Sequence, residues 1–185
     1  MQNLELHLLD PSDADNLLAF ELSNRAYFER LINARSPDYY HIDSVRDSIY
    51  ESIQLRALDL AYQYVVKVNG EIVARVNLTQ IARDYYNKAV LGYRVGESMT
   101  GRGVASKAIE LVLMEAFDTL NLWRVEAVVR ETNVASIRVL QKNHFLQCGR
   151  SQQAMSLHGV WCDLIHFECF SPKGAHLNAE PETEC

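Results

Sequence analysis

The sequence predicts an α+β domain, on three observations. An Asn69-Gly70 pair joins two runs rich in β-branched residues, and a glycine-bearing turn at residues 100–105 lies between a strand and a helix that leads to another strand. A second pair of strand-like runs, at residues 145–154 and 160–170, closes the apolar part of the chain. Two hairpins with a right-handed β-α-β crossover between them are therefore expected.

Each element has its own local signal. Residues 4–9 alternate well enough for a first strand, and Asp10-Pro11-Ser12-Asp13 then offers an N-cap, a proline at the first helical position and an acid in the first turn. The helix that starts there carries Leu18 and Leu22 on one face, and residues 26–32 either continue it or form a second short helix. Residues 33–41 are polar, contain Pro37 and include Tyr39 and Tyr40, which reads as a loop. From Asp43, Val45, Ile49 and Ile53 recur at i+4 in a helix reaching about Leu60. Residues 62–68 and 71–79 flank Asn69-Gly70, a pair suited to a type I′ turn. After a loop with Tyr85 and Tyr86 comes a strand at 89–95. The glycine turn follows, then a helix from Ala105 to about Leu120 with Ile109, Val112, Leu113, Ala116 and Phe117 at helical spacing. Residues 123–129 return as a strand, 133–143 form a short helix, and the final hairpin turns through Leu157-His158-Gly159.

At 185 residues, 48% of them hydrophobic, the chain suits one core of ordinary size, a domain at 1–170. The polar remainder, 171–185, is expected to be a mobile tail. Net charge is −6, of which the tail supplies −2. A mildly acidic body argues against a nucleic-acid surface and favours a cationic or amine substrate. The start Met-Gln-Asn-Leu-Glu has neither a basic cluster nor an apolar run, and no stretch reaches the roughly 18 apolar residues of a membrane span. A cytoplasmic protein that does not engage membranes is the expectation. The four cysteines, Cys148, Cys162, Cys169 and Cys185, have no metal-site spacing and read as buried free thiols.

The turn Thr100-Gly101-Arg102-Gly103-Val104-Ala105 bears the chemistry. The first amides of a helix lack intrahelical partners, glycines let a ligand approach them, and the helix dipole favours an anion. A pyrophosphate would fit; a plain glycine loop ending a strand would look the same. A dinucleotide oxidoreductase is disfavoured, because the pattern is not GxGxxG and no acidic ribose partner follows at the expected distance.

With these elements in order, residues 4–170 resemble the GCN5-related N-acetyltransferases, the GNAT superfamily. That family's phosphate loop, Gln/Arg-x-x-Gly-x-Gly/Ala, falls on residues 100–105 with Thr100 in the leading position. A second motif, Asn-x-x-Ser before a short helix with a Lys-x-Gly-Phe-like end, is matched by Asn133-Val-Ala-Ser136 and by Lys142-Asn143-His144-Phe145. Residues 92–98, 143–145 and 153–159 are similar to the branch that acetylates α-amines of ribosomal proteins.

The resemblance implies a mixed, mostly antiparallel sheet with helices on both faces, splayed between its fourth and fifth strands to admit acetyl-coenzyme A as co-substrate, and no metal. It implies transfer by direct attack of a primary amine, most readily a protein or peptide N-terminus. A small amine such as a polyamine, amino acid or antibiotic is the alternative acceptor, and a non-catalytic acyl-coenzyme A binder is the alternative from another class. Many relatives are dimers, so a homodimer stays open.

The implied cofactor contacts are Tyr93, Arg94 and Val95, where an irregular strand would offer an oxyanion donor, then Thr100, Gly101, Arg102, Gly103, Val104, Ala105 and Ser106. Lys107 stands by as a further countercharge. Ser136 would protonate the departing thiolate or touch the cofactor, or simply cap its helix. Asn133 would hold the pantetheine arm or make an ordinary Asx turn, and Arg138 and Lys142 would approach phosphates or stay solvated. The glutamate that relatives carry in the final hairpin falls on Met155, which cannot be a base. Glu97, His158, Asp163 and His41 are then the candidates, beside direct attack with water as proton acceptor. Tyr39, Tyr40, Tyr85 and Tyr86 are either an aromatic acceptor groove or ordinary loop packing.

Overall fold

The computed structural model describes residues 3–174. Within them seven strands, β1 (Glu5–Leu8), β2 (Tyr62–Val68), β3 (Glu71–Ala82), β4 (Lys88–Val95), β5 (Arg124–Arg130), β6 (Leu146–Leu157) and β7 (Val160–Phe170), form one sheet. Its order is β1-β2-β3-β4-β5-β7-β6, and every pair is antiparallel except β4 with β5. Helices α1 (Ala14–Ser23), α2 (Arg25–Leu31) and α3 (Ile42–Ala57) cover one face, while α4 (Val104–Met114) and α5 (Val134–Lys142) cover the other. The expected mixed, mostly antiparallel α+β architecture is present, with a core on each side of the sheet.

Local chemistry sets the boundaries. The side chain of Asp10 accepts from the Ser12 amide while Asp13 accepts from the Asp10 amide, a reciprocal cap on the 3₁₀ turn Pro11–Asp13. The α-helix proper therefore begins only at Ala14. Asn24 breaks the helical run, its side-chain amide donating to the Phe20 carbonyl, so residues 25–31 form a second helix. Both two-residue turns are left-handed at both positions, Asn69 (φ 52°) with Gly70 (φ 85°) and His158 (φ 50°) with Gly159 (φ 81°), the type I′ geometry that matches strand twist. Strand β6 consequently runs three residues beyond the expected Ala154. Past Met114 the fourth helix loosens into a π turn over Glu115–Thr119, where the Leu120 amide donates to the Glu115 carbonyl.

One open alternative narrows and two expectations change. Tyr85 and Tyr86 are exposed in the loop before β4, at the end where β4 and β5 are paired, so they lie away from the strand gap described below. Residues 171–174, expected to be mobile, are tied down: the Ser171 amide donates to the Trp123 carbonyl, and Lys173 reaches the Phe117 carbonyl and Asp118. The rest of the expected tail lies outside the described residues, as does Cys185. Cys148, Cys162 and Cys169 are free thiols, yet only Cys169 is buried; Cys148 is exposed. Among the described residues no helix is long and apolar enough to cross a membrane.

Candidate active site

Parallel pairing of β4 with β5 begins at Lys88↔Arg124 and stops at Leu91↔Ala127. Beyond it each strand keeps only its outer partner. Gly92–Val95 pair with β3, and Val128–Arg130 pair with β7. The sheet is thus open between the C-terminal halves of β4 and β5.

The backbone groups facing this gap follow from the ladder. The Gly96 amide donates to the Val73 carbonyl, so residues 96, 94 and 92 share the bonded phase with β3 and the amides of Tyr93 and Val95 point away from it. On the facing strand the Glu131 amide donates to Asp163, which by the same alternation turns the amides of Val128 and Arg130 toward the gap. The β3–β4 register runs without a shift from Ala74↔Val95 to Thr79↔Val90, so the irregular strand expected at residues 93–95 is absent. Separation of two regular strands frees the donors instead, and it removes the Arg94 amide from the set.

Past the end of β4, Gly101 (φ 72°) and Gly103 (φ 79°) are both left-handed. A Cβ on either would meet nothing within 4 Å. The amides from Gly101 to Ser106 donate no backbone hydrogen bond of good geometry among the described residues. These donors sit at the start of α4, an 11-residue helix, so its dipole adds to them. A pyrophosphate is the kind of group this cradle fits. Arg102 in the turn and Arg138 on α5 are both exposed, whereas Lys107 is engaged with Glu110 at 2.7 Å. The Thr100 hydroxyl donates to the Glu97 carbonyl at 2.8 Å, which holds the turn. The Ser106 hydroxyl accepts from the buried Asn143 amide at 3.2 Å, which ties the two helices on this face together.

Asn133 and Ser136 divide the roles left open by their motif. Asn133 is the N-cap of α5, its side-chain oxygen accepting from the Ser136 amide at 3.2 Å. Ser136 caps nothing. Its hydroxyl is 2.7 Å from the phenol oxygen of Tyr93, which stands on β4 at the edge of the gap. Burial raises the Tyr93 pKa, with the Ser136 contact opposing it, so the phenol is protonated at neutral pH. The pair presents two hydroxyls on the helix side of the gap.

On the opposite face lies a charged network that the sequence did not disclose. Glu21 of α1 is 1% exposed; one oxygen accepts from Arg75 at 2.7 Å and the other from Arg94 at 3.1 Å. Arg75 also donates to the Tyr39 hydroxyl and to Gln63. Burial alone would raise the Glu21 carboxyl, but Arg94 and Arg75 outweigh it and hold it below its ordinary value. Burial lowers the Arg94 guanidinium to about 10, so it remains charged at neutral pH. The one advance signal was polar residues on buried patterns: Glu21 follows Leu17 at i+4, and Arg75 interrupts the apolar strand β3.

Two candidate bases are already engaged. Asp163 accepts from the Gln153 amide and from Arg150, which lower its pKa, and Glu97 pairs with Arg30 at 2.7 Å. His41 and His158 are exposed, the latter in the tip of the last hairpin, where its amide donates to Asn33. Met155 lies opposite Cys162 in β7. Tyr39 and Tyr40 pack edge to face, with Arg35 over one ring and Arg25 over the other, so both belong to the packing of this face.

A family model described as "Acetyltransferase (GNAT) domain" matches residues 3–146. The chain belongs to the GNAT acetyltransferases. A Bacillus subtilis protein named "Probable N-acetyltransferase YjcK" is 32% identical over 157 residues, 84% of this chain and 87% of that protein. Among solved structures, a Vibrio fischeri ribosomal-protein-S5-alanine acetyltransferase superposes with a TM-score of 0.88 at 21% identity, covering 98% of this chain and 97% of the other. A ribosomal L7/L12 α-N-protein acetyltransferase (RimL) in complex with coenzyme A gives 0.84 at 24% identity, over 92% and 96%. These two likenesses show that the GNAT chain described here shares their fold.

Proposed function

We propose that this GNAT acetyltransferase uses acetyl-coenzyme A to acetylate a protein or peptide N-terminal α-amine by direct transfer. The observation that carries the reading is the strand gap, with unpaired Tyr93 and Val95 amides at its wall and a free-amide glycine turn just beyond it. The amides from Gly101 to Ser106 would hold the pyrophosphate, and the gap would admit the pantetheine arm.

Acetyl-coenzyme A supplies a thioester; the amine nitrogen bonds to its carbonyl carbon, the carbon–sulfur bond breaks, and the amine loses a proton. The Tyr93 or Val95 amide stabilises negative charge growing on the carbonyl oxygen. Ser136, aimed by Tyr93, donates a proton to the sulfur. A free thiol has a pKa of about 8.5, so this proton transfer assists rather than decides the rate. With Asp163 and Glu97 engaged in ion pairs, water takes the amine proton and proximity does most of the remaining work. The ribosomal-protein acetyltransferases that share the fold support the choice of a peptide amine over a free small amine.

A thiol-release assay with acetyl-coenzyme A tests this, with short peptides set against spermidine and free amino acids. Turnover on peptides with a free N-terminus, abolished when that N-terminus is acetylated beforehand, supports the proposal. Turnover only on the small amines, or cofactor binding with no turnover at all, refutes it.

A further inference from the structure

The side of the gap away from α4 and α5 has a floor and two charged walls. Gly92 and Val128 lie one residue beyond the last β4–β5 pair and form the floor; a Cβ at Gly92 would meet nothing within 4 Å, and Val128 is 44% exposed. Arg94 and Arg130 lie three residues beyond that pair, one on each strand. Strand alternation puts both on this face, opposite Tyr93 and Val129, which pack toward the α4 core. Both touch α2 from beneath, Arg94 with its guanidinium 5.3 Å from the Phe28 ring centroid and Arg130 donating to the Leu31 carbonyl at 2.7 Å.

Their charges are poorly balanced. Glu21 has one oxygen on Arg75 and one on Arg94, so a single carboxylate serves two guanidinium groups. Arg35, stacked on Tyr39 at 4.0 Å, adds another cation, and Arg130 has no ion-pair partner among the described residues. Among the neighbours, Arg30 and Glu97 neutralise each other; Glu131 and Asp163 share Arg150 and leave one negative charge in excess, but Arg150 and Asp163 align with Ile165 on the α5 face of the sheet, opposite Arg130. Arg94 and Arg130 each spend one of five N–H donors on the bonds above, leaving forked donors beside an open floor. The mildly acidic chain as a whole suggested a cationic substrate; this face says otherwise.

We infer that the acceptor carries a carboxylate close to its amine, bound between Arg94 and Arg130 on the open face of the strand gap. The inference rests on the proposed acetyltransferase function and narrows its substrate. An acidic side chain at the second or third residue of a peptide and the α-carboxylate of a free amino acid offer the same chemistry, and a polyamine offers the opposite.

The test uses the full chain, acetyl-coenzyme A and three hexapeptides that differ only at positions two and three, as paired glutamates, alanines or lysines, with free glutamate and spermidine alongside. The expected result is a kcat/KM for the acidic peptide about tenfold above the alanine peptide, and lower still for the lysine peptide and spermidine. Arg130→Gln raises the KM for the acidic peptide about tenfold, and Arg130→Glu turns the preference toward the lysine peptide. Arg130→Lys, which keeps the charge, retains the acidic preference, an outcome that a purely structural role for Arg130 does not give. A melting curve shows whether each variant is folded, and the wild-type peptide series decides the matter even if Arg130→Glu is not. Free glutamate preferred over every peptide keeps the carboxylate site and removes the peptide acceptor. Equal kcat/KM on the three peptides overturns the inference while leaving the acetyltransferase intact; no acetylation of any amine overturns both.

Discussion

Replacing Glu21 with Gln removes one negative charge from a site where two guanidinium groups depend on it. Glu21 is 1% exposed and the Arg75 side chain 7%, so water cannot take over the lost interaction. Breaking one partner of such a buried pair costs about 3–5 kcal/mol, and glutamine, which keeps an oxygen to accept from Arg75, falls at the low end. For a domain of this size about 1 kcal/mol shifts the melting temperature by roughly 2–4 °C, so Glu21→Gln lowers it by about 6–12 °C at pH 7. The pH dependence has a definite sign. The Glu21 carboxyl is held below its ordinary 4.5, so its contribution is fully present above that pH and fades as pH falls through the lower folded-state value. Melting curves of wild type and variant, separated at pH 7, should therefore converge in acid. A drop under about 2 °C at pH 7, or a gap that widens on acidification, would refute the network's structural importance.

Three further outcomes follow from the site. Ser136→Ala lowers kcat by about ten- to a hundredfold with little change in cofactor affinity, measured by thiol release under saturating acetyl-coenzyme A. Tyr93→Phe, which deletes the bond that aims Ser136, costs about two- to tenfold in kcat, the worth of one neutral hydrogen bond. Asn133→Ala removes the α5 cap and about 1 kcal/mol of stability, a melting shift of about 2–4 °C.

What the sequence disclosed was local. The Asn69-Gly70 turn, the glycines that open α4 and the Asn133 cap each act within a few residues, and each forms the local structure its residues imply. The hydroxyl and amide roles of the Asn133-x-x-Ser136 motif were harder to divide, because an N-cap is identified only once the first helical residue is known; α5 starts at Val134, which makes Asn133 the cap and frees Ser136. Relations between distant segments were not legible. Arg75 is 54 residues from Glu21, and nothing near either one names the other. The resemblance to a family, rather than any residue pattern, supplied the splay between β4 and β5, and it attached the oxyanion donor to a strand irregularity. Two regular strands that part company after Leu91 and Ala127 free the amides instead. The role of Tyr85 and Tyr86 stayed open for a related reason, since which end of a strand a loop occupies depends on the sheet's topology.

The central claim is that the glycine turn and the strand gap form an acetyl-coenzyme A site, and titration calorimetry of acetyl-coenzyme A against wild type and Gly103→Glu tests it most directly. Gly103→Ala, which carries the same backbone penalty at φ 79° without a charge, separates strain from electrostatics. Binding by wild type, weakened by Gly103→Ala and lost in a folded Gly103→Glu, is the predicted result. A folded Gly103→Glu that binds as tightly as wild type would contradict it.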